Sequence, residues 1–254
     1  MQVGSNSDAA GRANLDLTET LTEIDADAVI LAGGGHYRGT WDAPFPTIEA
    51  NLISQIGIIA AVTQARVPKV VSLGSYWQDM VTLESSSPAS LYRACKNATE
   101  ALLASAVGPG IAITTLHLHD VYGPNDDRDK IFGQLIQALS ADTPLSVKRP
   151  HAILIPVHIR DVCSAVEVAL SRSSGLHGSH ETYRVDGDEM ISVRELIGVA
   201  QGINSRLRTA ETEVTCNVGD PNDIGQRCIH DRPLGWQPLV TLKEGLCELV
   251  NELN

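Results

Sequence analysis

Tyr92 and Lys96 stand four residues apart in a segment of helical spacing, so both side chains share one face. Ser75 lies upstream, just past the apolar run Lys69–Leu73. A phenol, an ammonium and a hydroxyl are the parts of an acid–base device for a carbonyl or an alcohol. Bringing a tyrosine from its usual pKa near 10 to about 7 takes roughly 4 kcal/mol. One ammonium at about 4 Å supplies that much at an effective dielectric of about 20. Lys96 can thus bias Tyr92 toward phenolate while Ser75 holds a substrate oxygen beside it. A Y-x-x-x-K pair alone is a weak signal and reads more readily as a surface tyrosine beside a lysine. The serine at a strand end sets this one apart.

These residues need elements to position them. The run Asp27–Ala32, ending in Gly33, Gly34 and Gly35, predicts a buried strand entering a loop. Apolar residues at Leu52, Ile56, Ile59 and Val62 predict a helix over Ile48–Arg66, stopped by Pro68. Lys69–Leu73 reads as the next strand, 78–89 as a loop, Ala89–Val107 as a helix and Ile111–Leu118 as a strand. Residues 1–14 read as a flexible lead-in and Thr18–Ile24 as a short helical piece. Farther on come helices over Lys130–Ser140 and Arg160–Ser171, an extended Ile153–Ile159 and a short strand Tyr183–Val185. Ser192 with Glu195 forms a capping box, and Leu242–Leu253 is a closing helix. Strands alternating with helices imply an α/β fold with a parallel sheet. Ligands bind beyond the carboxyl ends of such strands, where Ser75 falls.

The order of motifs resembles the extended short-chain dehydrogenase/reductases, the NAD(P)-dependent epimerase/dehydratase family. Y-R-A-C-K at 92–96 with Ser75 is similar to its Ser–Tyr–Lys set. D-A-V-I-L-A-G-G at 27–34 resembles the strand usually ending His-Leu-Ala-Ala, and Asn51 stands where the family often has an asparagine opening its dimer-forming helix. V-Y-G-P-N at 121–125, V-H-I-R-D-V at 157–162 and L-G-W-Q-P at 234–238 followed by L-K-E-G-L at 242–246 resemble further segments in family order. The resemblance covers roughly residues 15 to 250. It implies a Rossmann-like doubly wound sheet over 1–123 and 153–185, with a smaller substrate lobe over 124–152 and 186–254. It implies NAD or NADP as cofactor, near Ala32, Gly33, Gly34, Asn51, Tyr92 and Lys96. It implies a nucleotide-linked sugar or similar carbonyl/alcohol substrate, near Ser75, Tyr76 and Asn125, and a homodimer through the helices beginning near Asn51 and Pro88. Tyr92 becomes the general acid/base, Lys96 its activator and ribose contact, and Ser75 the partner of the substrate oxygen.

Two departures qualify this picture. The family opens with a strand, a G-x-x-G-x-x-G loop, a helix and a second strand, and such a unit needs about 30 residues. Only 14 residues precede Leu15. A late-assigned start or a truncation, a repurposed chain in which the strand edge at 27–32 is covered by another chain or the lead-in, or a chain that binds cofactor weakly and differently would each account for it. Without that loop the cofactor loses the backbone N–H groups that hold its pyrophosphate. The arginine that usually precedes V-H-V is also replaced, by Leu154-Ile-Pro156, leaving Lys148, Arg149 or Arg227 to take its place. A second reading therefore stands beside the first: a cofactor-free or non-catalytic relative serving as a binding or assembly subunit.

Composition narrows the classes. A formal charge of −12 disfavours nucleic acid. No run of 18 apolar residues predicts a membrane span, and Met1–Asp8 does not read as a secretory signal. Five cysteines without a C-x-x-C pair argue against zinc, and no metal is expected. Cys95, Cys163 and Cys247 read as small buried hydrophobes in a reducing cytoplasm, with Cys216 and Cys228 unassigned. His36, Tyr37, Arg38, Trp41 and Asp42 follow a strand end and could line a pocket, but read more readily as an ordinary loop. His117 and His119 alternate with leucines as a metal pair could, but with no convincingly spaced carboxylate except Asp120 they read as packed histidines. His158, Asp161 and Trp236 read as structural.

Overall fold

The computed structural model describes residues 16–35, 42–80, 88–106, 108, 110–126, 128–172, 178–210 and 229–251. His36, Tyr37, Arg38, Trp41, Cys216, Arg227 and Cys228, singled out in the sequence, lie outside the described residues, as does the lead-in. The chain divides into two compact units, residues 1–117 with 166–183, and 118–165 with 184–254.

The first unit is built on a Rossmann-like four-stranded sheet with flanking helices, in the order β1 (Val29–Leu31), β2 (Lys69–Ser75), β3 (Ala112–Leu118) and β4 (Ser179–Val185). β1 runs parallel to β2, pairing Val29 with Val70 and Leu31 with Ser72. β1 is shorter than the apolar run predicted, because Ala32 already leaves the ladder, and β4 is longer, beginning at Ser179. Its polar S-H-E-T start hides the strand from an apolar pattern. Two helices pack together in this unit. One is α1 (Phe45–Gln64), the other α2 (Pro88–Ala106). Leu31, Ile59, Val62, Val70, Leu103 and Ile113 form their shared core with the sheet.

α1 is not uniform. Residues Glu49–Ile53 make a π turn between the α segments Phe45–Ile48 and Ser54–Gln64. Asn51 thus lies within the helix rather than opening it. α1 is the one helix among the described residues long and apolar enough, by length and composition, to cross a membrane. In this unit it buries the polar Asn51 and Gln55 together with Ile59 and Val62. The predicted loop at 78–89 is partly replaced by a 3₁₀ turn over Tyr76–Asp79, which Ser75 caps.

The second unit packs the helices Ile131–Ser140, Val193–Ile203 and Leu242–Asn251 around two apolar clusters. The stretch predicted as one extended segment is two short strands. Ile153–Leu154 pairs antiparallel with Ile191–Ser192, and Pro156–His158 pairs parallel with Asp120–Tyr122. Ser192 caps its helix through Glu195 in both directions, as the capping box requires. Asp161 is buried and accepts the Leu239 and Val240 amides, while its carbonyl accepts the indole N–H of buried Trp236. Helix α3 (Ile159–Arg172) buries Val162, Ala165 and Ala169. Cys163 is exposed, contrary to the buried role expected of it, because it lies one step round the helix from that stripe. Cys95 is buried and Cys247 half-buried.

The glycine of the E-G-L segment has a steric reason. A Cβ on Gly245 would run into the Tyr122 hydroxyl and lie 2.8 Å from its Cζ. Tyr122 is buried and stacks on Phe132 at 4.4 Å between ring centroids, so it has little room to yield. Gly245→Ala is expected to destabilise the chain by about 1–3 kcal/mol, even though alanine favours helix more than glycine does. Urea unfolding followed by circular dichroism measures this.

Candidate active site

β2 delivers Ser75 as its last residue, buried at 8% exposure. The turn after it explains the orientation. Ser75 Oγ accepts the Trp77 N–H at 3.4 Å, and the Ser75 N–H donates to Gln78 Oε1 at 2.9 Å. Tyr76 lies 5.1 Å from Trp77, ring centre to ring centre. α2 delivers Tyr92 and Lys96 from one face. The Lys96 ammonium stands 6.0 Å from the Tyr92 ring centre and donates to the Leu73 carbonyl at 3.2 Å. Burial lowers the Lys96 pKa, because the charged form loses water.

The end of β1 comes to the same place. A Cβ on Gly34 would lie 3.1 Å from both Lys96 Nζ and Asn51 Oδ1. Asn51 is buried; its Oδ1 accepts the Gly35 N–H at 3.1 Å and its Nδ2 donates to the Thr47 carbonyl at 3.0 Å. The Asn51 carbonyl, within the π turn, accepts the Thr99 hydroxyl of α2 at 2.8 Å. π turns free backbone groups in this way and recur at functional sites. Ala32, Gly33 and Gly34 are exposed at the rim. Gly33, Gln55, Gly74, Gln78, Lys96 and Glu100 line a narrow crevice at the carboxyl ends of β1 and β2.

The structure thus brings Ala32, Gly33, Gly34, Asn51, Ser75, Tyr76, Tyr92 and Lys96 into the first unit. Asn125 and Arg149 belong to the second, both exposed, with Asn125 at φ 60° in its turn.

The sequence reading missed a cluster below this crevice. His117 is no merely packed histidine. Its Nδ1 lies 2.8 Å from Asp79 Oδ2 and its Nε2 3.0 Å from Glu100 Oε2. Glu100 also accepts Gln78 Nε2 at 2.6 Å and the Thr182 hydroxyl at 2.8 Å, with His180 Nε2 at 3.7 Å. His180 Nε2 lies 2.9 Å from Thr115 Oγ1. A ring with both nitrogens on carboxylates carries two N–H groups and a positive charge. Burial opposes that charge, but the Asp79 and Glu100 hydrogen bonds outweigh it and push the His117 pKa up to about 9. Burial likewise works against the Glu100 carboxylate, and the His117 and Thr182 contacts hold it below its usual range. One signal was available: Tyr92, Lys96 and Glu100 are spaced i, i+4, i+8, a polar stripe along one helix. His119, by contrast, is buried, and its N–H donates to the Val185 carbonyl.

His117 has its pKa raised from 6.5 to about 9 in the fold. The stability it contributes is complete below 6.5 and is lost as pH rises through about 9. The melting temperature is expected to fall across that window, and the fall should shrink in His117→Gln. Differential scanning calorimetry at several pH values measures both; a wild-type profile no steeper than the variant's counts against the charged ring.

Comparison with known proteins agrees with this architecture. The NAD dependent epimerase/dehydratase family model matches residues 6–185. A CDP-abequose synthase of Yersinia pseudotuberculosis is 24% identical over 181 residues, which cover 71% of this chain and 64% of that protein. A putative GDP-L-fucose synthase 2 of Oryza sativa subsp. japonica is 30% identical over 95 residues, 36% of this chain and 25% of that one. The chain thus spans less than two thirds of the length of these curated relatives. Among solved structures, UDP-glucuronic acid 4-epimerase from Bacillus cereus, in complex with UDP-glucuronic acid and NAD, superposes with a TM-score of 0.76 at 20% identity, covering 94% of this chain and 78% of that one. UDP-glucose-4-epimerase from Stenotrophomonas maltophila, with bound NAD and formylated UDP-arabinopyranose, gives a TM-score of 0.76 at 17% identity over 95% and 80% of the two chains. These two likenesses speak to the fold. With 180 of the 254 residues matched by the family model, the chain belongs to the NAD dependent epimerase/dehydratase family.

Proposed function

We propose that this chain works on a nucleotide-linked sugar with NAD or NADP, using Tyr92 as general acid/base. The observation that carries the proposal is the placement of Lys96. Its ammonium stands 6.0 Å from the Tyr92 ring, on the Leu73 carbonyl, and 3.1 Å from where a Cβ on Gly34 would lie. The residues fit a dinucleotide: Gly34 leaves open a cradle that any Cβ would fill, rimmed by a cation and the Asn51 amide. Lys96 would hold the ribose hydroxyls there, and Ala32, Gly33 and Asn51 would line its path. When bound, the nicotinamide supplies a hydride acceptor and donor.

The chain's own residues do the rest. As a phenolate favoured by Lys96, Tyr92 takes the proton of a substrate hydroxyl, and as the resulting phenol it returns that proton. Ser75 already uses an oxygen lone pair on the Trp77 N–H, which leaves its O–H to hold the substrate oxygen. Asn125, Arg149 and Arg227 are the candidates for substrate contacts. The relatives that act on CDP- and UDP-linked sugars support this substrate class. Exposed Phe45, Ile53 and Ile56 of α1 and Leu102 of α2 support a homodimer, and free cysteines suit the reducing cytoplasm.

With NAD or NADP and a panel of nucleotide sugars, Tyr92→Phe is expected to lower turnover by roughly 10²–10⁴-fold with the fold intact. Nicotinamide absorbance and product chromatography measure it; unchanged turnover overturns the role. Thermal shift with each dinucleotide gives the companion readout. No stabilisation at millimolar concentration favours instead a non-catalytic binding subunit.

The assembly is tested by light scattering at micromolar concentration. A dimer is expected, and Ile56→Glu should shift it toward monomer by placing a charge on the apolar face.

A further inference from the structure

The Asp79–His117–Glu100 cluster has no part in the proton transfer just described, yet it is expensive to bury. Two carboxylates and an imidazole lie side by side, with side-chain exposures of 10%, 3% and 20% for Asp79, His117 and Glu100. A neutral set of the same volume would fill the space at less desolvation cost. What distinguishes the cluster is what it joins. Asp79 and Gln78 belong to the turn that follows Ser75. Glu100 sits one helical turn beyond Lys96 on α2. His117 rises from β3, and Thr182 and His180 from β4.

The bonds run in a continuous chain. The Ser75 N–H donates to Gln78 Oε1, Gln78 Nε2 donates to Glu100 Oε2, His117 Nε2 meets the same Glu100 oxygen, and His117 Nδ1 closes on Asp79. Gly74, next to Ser75, is shaped by the same contact. A Cβ on it would lie 2.7 Å from His117 Cδ2 and 2.7 Å from Gln78 Oε1. The imidazole therefore packs directly under the backbone that carries Ser75.

We propose that Asp79, His117 and Glu100 form a positioning clamp that, through Gln78, fixes the Ser75 turn of β2 in register with the Lys96 turn of α2. None of the three need touch substrate or cofactor. Asp79 and Glu100 are the carboxylates on the ring, His180 is the neighbouring titratable group on β4, and Lys96 is the nearest cation on the Glu100 helix. The clamp rests on the proposed function only for its catalytic consequence; its structural consequence stands without it.

The test uses the full chain and three variants: His117→Asn, His117→Arg and Asp79→Asn. Arginine keeps the cation and offers donors to both carboxylates; asparagine leaves two carboxylates without the cation between them. The activity-free readouts come first. Nitrogen-15 spectra of the wild type at pH 7.5 should show His117 with both ring nitrogens protonated; a neutral ring overturns the clamp. Hydrogen exchange at the Ser75 amide and its neighbours over 73–79 should quicken by about tenfold or more in His117→Asn and stay within about threefold of wild type in His117→Arg. Unchanged exchange in His117→Asn overturns the clamp, whatever happens to turnover. Should His117→Asn fail to fold, Asp79→Asn, which keeps His117 and Glu100, carries the same exchange expectation and the same refutation. With a substrate in hand, kcat of His117→Asn should fall by about 10–100-fold with KM within about threefold, and His117→Arg should recover most of it. Full kcat in His117→Asn, with exchange loosened, overturns the positioning role. If the wild type turns over no nucleotide sugar and binds neither dinucleotide, the proposed function fails while the spectral and exchange results still decide the clamp.

Discussion

A charge taken out of water has to be answered by fixed partners, and in the first unit that requirement shapes everything around the crevice. Lys96 is half-buried with its ammonium on the Leu73 carbonyl. One turn on, Glu100 is held by Gln78, His117 and Thr182. Each of these groups would be costly if left alone in the low-dielectric interior. Together they leave α2 little freedom to slide or rotate against β2, β3 and β4. The placement of α2, and with it Tyr92, thus follows from satisfying buried polar groups as well as from the apolar packing of Leu103 and Ile113.

The other side of the crevice is arranged by backbone rather than by charge. Gly34 and Gly35 approach α1 closely enough for a side-chain amide, Asn51, to take the Gly35 N–H. The same residue's carbonyl receives the Thr99 hydroxyl from α2. Asn51 therefore joins three segments at once: the end of β1, α1 and α2. That makes it a hub of the site as much as a residue near a cofactor.

Long elements were legible in the sequence because their periodicity is local. The helix Pro88–Ala106 and the strand Ala112–Leu118 stand within a residue or two of their expected limits. Tyr92 and Lys96 could be paired by spacing alone. What could not be read was pairing across the chain. Asp79 lies 38 residues before His117, and Thr182 82 residues after Glu100, so no pattern joins them before the sheet exists. The first half of β4 went unread for a related reason: in S-H-E-T, His180 and Thr182 are polar because they meet Thr115 and Glu100, not because the segment is loop. Cys163 was misplaced by treating an apolar helix as buried all round, when only the Val162, Ala165 and Ala169 stripe is.

The π turn in α1 makes the spelling of that helix unusually strict. A wide turn accommodates one residue more than an α-helical count would, so the segments before and after it are out of phase by about 100°. Removing any single residue between Glu49 and Ile53 would restore ordinary winding and swing the Phe45–Ile48 segment around the axis. Thr47 would leave the interior, and the Asn51 amide could no longer reach both its own helix and the glycine bend. Insertions and deletions that a surface connection would absorb are therefore forbidden here, and the length of this stretch is constrained as tightly as the identity of any residue in it.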